Sequence, residues 1–313
     1  MLIVGDAIID EYQYVLPMGK SLKETTISTR YRDHELFVGG VFAVANHVAA
    51  LCKEVHVITC LGEFDSYQDL VRKSLRPNVG MTAVLRSGAP TTLKRRFVDP
   101  AGTRKLFEVY VMNDEPLSAD RQRQLDSAVS GVIGDYDVVI AADFGHGMLA
   151  RSTIDALAAA RFLAVNAQSN VANLGYNLVT KYPRADYICI DATEARLALG
   201  DRISSMSDIA RRLVEKHVDY SKIIVTQGKH GCVAYERGGT DHTIPAFAWN
   251  VVDTMGAGDA FLAVTSPLVA AGGPLDHVGF IGNVVGAIKV EIVGQRLAID
   301  KPALIKTITE LLT

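Results

Sequence analysis

The chain has 313 residues, 49% of them apolar, with 32 Lys and Arg against 35 Asp and Glu for a net charge of -3. That length and apolar content supply a sizeable core for one large α/β domain or two ordinary ones, and the near balance of charge excludes a global field suited to nucleic acid or to an anionic membrane surface. Cys52, Cys60, Cys189 and Cys232 are scattered, without the close pairs of zinc or redox motifs, which reads as buried thiols in a reducing, cytoplasmic compartment.

In chain order, MLIVGDAIID opens with an apolar run that meets Asp6, with no basic flank or small-residue cleavage site, and is expected to be a first strand. Strand-like runs then recur as EVHVITC, YDVVIAA, FLAVN, ADYICI and KIIVTQG. Between them lie the helical patterns VFAVANHVAAL, SYQDLVRKSL, STIDALAAA and MSDIARRLVEKH, with two more toward the C-terminus. FLAVTSPLVAAG is interrupted by Thr265, Ser266 and Pro267, and no apolar run approaches the roughly 20 residues that span a bilayer. The alternation predicts an α/β fold over 1–313, with a mainly parallel central sheet, helices on both faces, and ligands at the carboxyl ends of the strands.

Two segments break the rhythm. Residues 12–38 are rich in Thr, Tyr and Arg, and residues 91–112 hold two β-rich arms around the turn Asp99-Pro100-Ala101-Gly102. They predict a small antiparallel β sheet inserted in the body, readable as a lid over a cleft, a dimerisation flap or an edge decoration.

The stretch least like ordinary packing is VDTMGAGDAF. A Gly-Ala-Gly turn that opens a helix leaves backbone N–H groups at the positive end of the helix dipole, which suits an anion. Asp259 in the first turn could take a proton from an attacking hydroxyl beside that anion; equally, it could complement the dipole in a tightly packed turn. Gly228 and Gly231 in VTQGKHGCVAYE could cradle a nucleotide phosphate or reverse the chain in a hairpin, and Gly39-Gly40 before a helix could bring backbone close to a small ligand.

Two other patterns compete. MGKS at Met18–Ser21 ends like a P-loop, but the required first glycine falls on Tyr14. FGHGMLA places Gly145, Gly147 and Ala150 on a dinucleotide-binding pattern, which would suit an NAD(P)-dependent oxidoreductase. The next strand ends in Asn166, Gln168 and Ser169 where that pattern wants an acid for a ribose hydroxyl.

GDAIID, the Gly39-Gly40 helix, TQGKHG and DTMGAGD follow one another as in the ribokinase-like (PfkB) carbohydrate kinases, and the chain resembles that family along its whole length. GDAIIDEY, PTTLKRRFVD, RKLFEVY and ADFGHGML are most similar to its heptose-phosphate kinase branch, whose members often carry a second, nucleotidyl-transferring domain. The resemblance implies an ATP- and Mg²⁺-dependent kinase acting on a hydroxyl of a sugar or sugar phosphate. Asp259 would be the base, with Gly256, Ala257 and Gly258 as the anion hole. Asp10, Gly39, Gly40 and Asp143 would hold the sugar, while Thr226, Gly228, Gly231 and Asn283 would lie along the nucleotide. Asp253 and Gly294 match positions where relatives hold a monovalent cation such as K⁺.

Two positions depart from the family pattern. Asp191 stands where the Asn of an Asn-x-x-Glu magnesium motif is usual, four residues of chain ending at Glu194; both are candidates for ordering Mg²⁺ through water, and Asp191 also suits a helix N-cap. Ala43 replaces an Asn that touches the sugar in many relatives, and Asn46 lies one turn further on. These departures keep open a non-catalytic nucleotide- or sugar-binding relative. On the hairpin arms, strand alternation sends Lys94 and Arg96 to one face and Arg95 to the other, where the first two could meet a phosphate already on the acceptor. An exposed lid sheet also makes a symmetric homodimer an expectation.

Overall fold

The computed structural model describes residues 1–216, 219–248 and 250–313. In chain order its elements are β1 (Leu2–Gly5), β2 (Ala7–Lys20), β3 (Ile27–Gly40), α1 (Val41–Val48), β4 (Val55–Phe64), α2 (Gln68–Ser74), β5 (Val79–Pro90), β6 (Thr92–Asp99) and β7 (Arg104–Val111). Next come α3 (Ala119–Ser130), β8 (Val139–Asp143), α4 (Arg151–Leu157), β9 (Leu163–Ala167), β10 (Arg184–Asp191), α5 (Ala192–Leu199) and α6 (Met206–Lys216). The chain ends with β11 (Asp219–Thr226), β12 (Cys232–Glu236), β13 (His242–Ile244), α7 (Ala257–Ala270), α8 (Leu275–Lys289) and α9 (Lys301–Leu312).

A nine-stranded sheet runs β13-β12-β11-β10-β9-β8-β1-β4-β5 and is parallel from β11 to β5. The pairings β11–β12 and β12–β13 are antiparallel, so that β12 alone among these nine strands runs against the rest. Successive strand residues point to opposite faces, and both faces are covered. Leu2, Val4, Val139 and Ala141 pack on one side with α3–α6 residues such as Leu125, Ile154 and Leu213. Ile3, Ile140 and Ala142 pack on the other with Phe42 of α1, Phe261 of α7 and Val278 of α8. Two buried faces explain why these strands read as nearly continuous apolar runs.

Strand β5 and helix α3 have no counterpart in the sequence-based expectation. The polar run ADRQRQLDSAVS buries only Leu125 and Val129, too few apolar positions for a clear helical stripe.

The second sheet runs β3-β2-β6-β7. Its two hairpins, β2–β3 and β6–β7, are antiparallel as expected, whereas the inner pair β2–β6 is parallel, with Asp10 opposite Lys94 and Tyr12 opposite Arg96. The first hairpin extends past the expected 12–38 to Ala7 and Gly40, because β2 follows β1 after the single residue Asp6. The MGKS stretch lies at the exposed tip of this hairpin. No helix among the described residues is long and apolar enough to cross a membrane.

Candidate active site

Gly256 caps α7 in the left-handed region, φ +71°, and a Cβ there would stand 2.0 Å from Gln295 Nε2. Only glycine fits that turn. No side chain caps the helix; Ala257 N turns back to Thr254 O at 3.3 Å, and the first-turn N–H groups that helix geometry leaves without intrahelical partners stand beside Gly258. Gly258 has open space where a Cβ would project. In general terms this is the geometry that attracts anions.

Asp259 sits in the first turn of α7, partly shielded from solvent. Its carboxyl is pushed up to about 7, chiefly by burial and then by the charge of Asp10, against the opposing pull of Lys289 and Lys94. The fold therefore brings residues from β2, β6, α7 and α8 into one electrostatic neighbourhood. A carboxyl that changes protonation near neutral pH is suited to accept a proton.

Asp10 is buried in β2 of the four-stranded sheet. A Cβ on Gly39 would come within 2.1 Å of Asp10 Oδ2, so glycine at this position lets β3 pass the carboxylate, and Gly40, with φ +55°, then caps α1. Arg96 donates from Nη1 to Asp10 Oδ1, and its Nε stands 3.3 Å from Glu108. Lys94 places Nζ 5.5 Å from the Tyr110 ring centroid, and burial beside Arg96 pulls its pKa down. Lys94 and Arg96 are each 6% exposed, while Arg95 turns to the outer face and pairs with Glu11 at 2.6 Å, the alternation expected from the sequence.

The expected cationic patch is narrower than the sequence suggested. Arg96 is engaged by two acids, so the ammonium of Lys94 carries what remains of the positive inner face. Behind it, His146 is 2% exposed and neither ring nitrogen has a hydrogen-bond partner; burial, with Lys94 and Arg86, holds its pKa down at about 3. A small cavity there is lined by Asp6, Arg86, Thr91, Thr92 and His146.

Asp143 is buried at the end of β8. Its carboxylate accepts from Tyr182 Oη at 2.7 Å, Asn177 Nδ2 at 3.1 Å and Gly145 N at 3.1 Å, and pairs with Lys181 at 2.6 Å. With its oxygens so engaged, it braces the loop after β8. Gly145 and Gly147 face protein atoms at the same loop: a Cβ on Gly147 would meet the Asp114 and Glu115 carbonyl oxygens at 2.4 Å. Their small size thus serves packing, which removes the main support for a dinucleotide turn.

On the other side of α7, Thr226 ends β11, and Gly228 opens a short 3-10 turn (Gly228–His230) that leads into antiparallel β12. The glycines do reverse the chain. Gly228 has φ +54° and open space around it, whereas Gly231 packs against Ile244 O. Asn283 donates from Nδ2 to the carbonyls of Ile244 and Pro245 at 3.0 and 2.9 Å, tying α8 to the segment after β13.

Asp191 and Glu194 form a reciprocal capping box: Glu194 N donates to Asp191 Oδ1, and Asp191 N donates to Glu194 Oε2, each at 2.8 Å. Glu194 also accepts from Ser169 N at 3.0 Å. Burial and the neighbouring Asp191 push its carboxyl up to about 8, with Asp259 adding to the effect. Asp191 remains exposed, so a hydrated divalent cation bridging to phosphate would find an acidic partner there and would relieve the repulsion. Ala43 is buried in α1, and Asn46 is committed to packing, bonding Ser74 O and Arg76 N at 3.0 Å each.

The residues matched to a monovalent cation do not fit one. Asp253 accepts from Tyr12 Oη at 2.6 Å, Lys105 Nζ at 2.8 Å, Gly294 N at 2.8 Å and Met255 N at 3.1 Å. The nearby carbonyls of Met255 and Gly294 accept from Lys289 Nζ at 2.8 and 2.6 Å. Lys289, Tyr12 and Lys105 escaped the sequence reading; a lone lysine within the apolar run VVGAIKVEIVG was the one available signal.

The pfkB family carbohydrate kinase model matches residues 1–302. Among curated proteins, the bifunctional protein HldE of Pelobacter propionicus is 26% identical over 297 residues, covering 94% of this chain and 60% of the relative. HldE of Bradyrhizobium diazoefficiens is 28% identical over 309 residues, covering 95% and 60%. The chain thus spans about 60% of the length of these relatives. Among solved structures, phosphofructokinase-2 from Escherichia coli in complex with substrates and products aligns with a TM-score of 0.80 at 15% identity over 100% and 99% of the two chains. A Burkholderia thailandensis nucleoside kinase in complex with inosine aligns at 0.71 with 21% identity, over 100% and 98%. The chain belongs to the pfkB family of carbohydrate kinases.

Proposed function

We propose that the protein transfers the γ-phosphoryl group of ATP to a hydroxyl of a sugar or sugar phosphate, with a heptose-phosphate-like acceptor favoured. The observation that carries this reading is Asp259, a carboxyl pushed up to about 7 in the first turn of α7, directly behind the Gly256–Gly258 turn. ATP with its divalent metal supplies the electrophilic phosphorus and neutralises charge on the phosphates.

Asp10, anchored by Arg96, accepts hydrogen bonds from acceptor hydroxyls at the Gly39 passage, and Lys94 attracts an anionic group on the acceptor. Asp259 removes the proton as the hydroxyl oxygen bonds to phosphorus, and the bridging oxygen leaves with ADP. The N–H groups of Gly256 and Gly258, joined by that of Ala257 once it leaves Thr254 O, stabilise the transferring group, a contribution worth about 10²–10³ in rate for one donor in comparable sites. Thr226 and Gly228 flank the nucleotide; Gly231 and Asn283 shape its wall through Ile244. Asp191, with Glu194 held behind it, would hold the hydrated divalent metal through its water. The lid sheet closes on the acceptor and excludes water.

The outer lid face presents Phe107 and Val109, 46% and 41% exposed, which supports a homodimer through the lid. The deciding experiment is Asp259→Asn assayed on a panel of sugars and sugar phosphates. A loss of about 10³-fold or more in kcat with nucleotide affinity retained is expected; turnover near wild type would remove the base. ATP binding with no acceptor phosphorylated would favour a non-catalytic relative.

A further inference from the structure

Lys289 closes α8 with a side chain that is 0% exposed. A buried ammonium is costly unless oxygen atoms replace its lost water. Here the replacements are two backbone carbonyls, Met255 O at 2.8 Å and Gly294 O at 2.6 Å. Met255 immediately precedes the Gly256 turn, and Gly294 is the residue whose N–H holds Asp253. Val252 N and Asp253 N both donate to Val290 O, at 2.8 and 2.9 Å, so the segments 252–256 and 290–294 are laced together around this one ammonium.

We propose that Lys289 supplies from within the chain the fixed positive charge that the family resemblance assigns to a monovalent cation, so that the turn at 253–256 is organised without K⁺. An ammonium and a potassium ion collect carbonyl oxygens at similar distances, and a site that already holds the first has no ligands left for the second. The four donors on Asp253 point the same way, since a carboxylate so engaged is not free to ligate a metal. The carboxylates of Asp253, Asp259 and Asp10 favour the charged form of Lys289 against the effect of burial. One structural neighbour, phosphofructokinase-2 of Escherichia coli, has been solved in complex with potassium; the residues here describe a different solution. Lys289 is a positioning residue, acting through Met255 on the turn, and the catalytic part of the inference rests on the kinase reading above.

The test compares choline, Na⁺ and K⁺ chlorides at constant ionic strength. Wild-type turnover is expected to agree within about twofold across the three salts, and wild-type Tm in K⁺ to match that in choline, since a ligand that binds the native state would raise it. Lys289→Ala is expected to lose at least about tenfold in kcat in choline, with a smaller change in acceptor KM, and to regain activity and Tm in K⁺ or methylammonium. A K⁺-specific rise of wild-type Tm, or fivefold or greater activation of wild type by K⁺ (a threshold of about 1 kcal/mol), overturns the inference. So does a folded Lys289→Ala protein that is as active as wild type in choline, or that is inactive and unresponsive to every cation. If the variant does not fold, the wild-type salt comparison decides. If no acceptor is phosphorylated, the kinase reading fails, and the Tm arm still settles whether the site takes K⁺.

Discussion

The Arg96 guanidinium of β6 and the Asp10 carboxylate of β2 form an ion pair on one face of the four-stranded sheet, with side chains 8% and 5% exposed. Removing one partner of a buried pair leaves an uncompensated charge, at a cost of about 3–5 kcal/mol. Arg96→Met is therefore expected to lower Tm and to raise acceptor KM, with ATP KM nearly unchanged. Thermal unfolding and initial rates with each substrate varied in turn check this, and an unaltered acceptor KM would detach the pair from acceptor binding.

Asp259 titrates where most carboxylates do not. With the folded-state value at about 7 against an ordinary 3.8, the base form grows through neutrality, so kcat/KM is expected to rise with pH and level off above about 7. The same shift acts on stability. A carboxyl whose pKa is raised by folding binds its proton more tightly in the native state; its contribution is fully present below about 3.8 and is lost as pH rises to about 7. Asp259→Asn should thus stabilise the protein at pH 8 by about 1–2 kcal/mol, after allowance for partial exposure, and the gain should shrink toward pH 5. Tm measured across that range would show no such slope if the carboxyl were ordinary.

Asp191 combines two roles that substitution separates. Asn serves nearly as well as Asp at an N-cap, so Asp191→Asn should keep the α5 cap and hold ΔG of unfolding within about 0.5 kcal/mol. By removing a negative charge near the phosphates it should tighten MgATP binding severalfold, a change of about 1 kcal/mol. Asp191→Ala should lose about 1 kcal/mol of stability with the cap. Calorimetric titration with MgATP tests the first claim, and equal affinity in wild type and the Asn variant would place Asp191 away from the nucleotide.

Phe107 and Val109 share the outer face of β7 with the Phe97–Phe107 stack, whose ring centroids are 4.3 Å apart. If two lids meet there, Phe107→Glu should weaken association by about 2 kcal/mol or more, as loss of a central aromatic anchor does. Sedimentation equilibrium of the wild type and the variant reads this directly, and a wild-type monomer at assay concentrations would remove the dimer.

Apart from β5 and α3, the order of strands and helices in the main sheet was legible because burial on two faces forces short, nearly continuous apolar runs between helical stripes of period 3.6, and both survive in the bare string of residues. VDTMGAGDAF was legible for a similar reason. A turn such as Gly256, where the backbone is left-handed and Gln295 fills the space of a Cβ, admits almost nothing but glycine. Lys94 and Arg96 on one face and Arg95 on the other followed from strand alternation alone.

What neighbours those side chains meet was decided elsewhere in the chain. Glu108 faces Arg96 through the β6–β7 register, Tyr182 and Lys181 claim Asp143 across the sheet, and Lys289 reaches Met255 from the end of another helix. Local sequence fixes backbone conformation and the face a residue takes, because those depend on sterics within a few residues. The partner that neutralises a buried charge comes from a distant segment, so only the tertiary structure could show that an internal ammonium stands where a dissolved cation was expected.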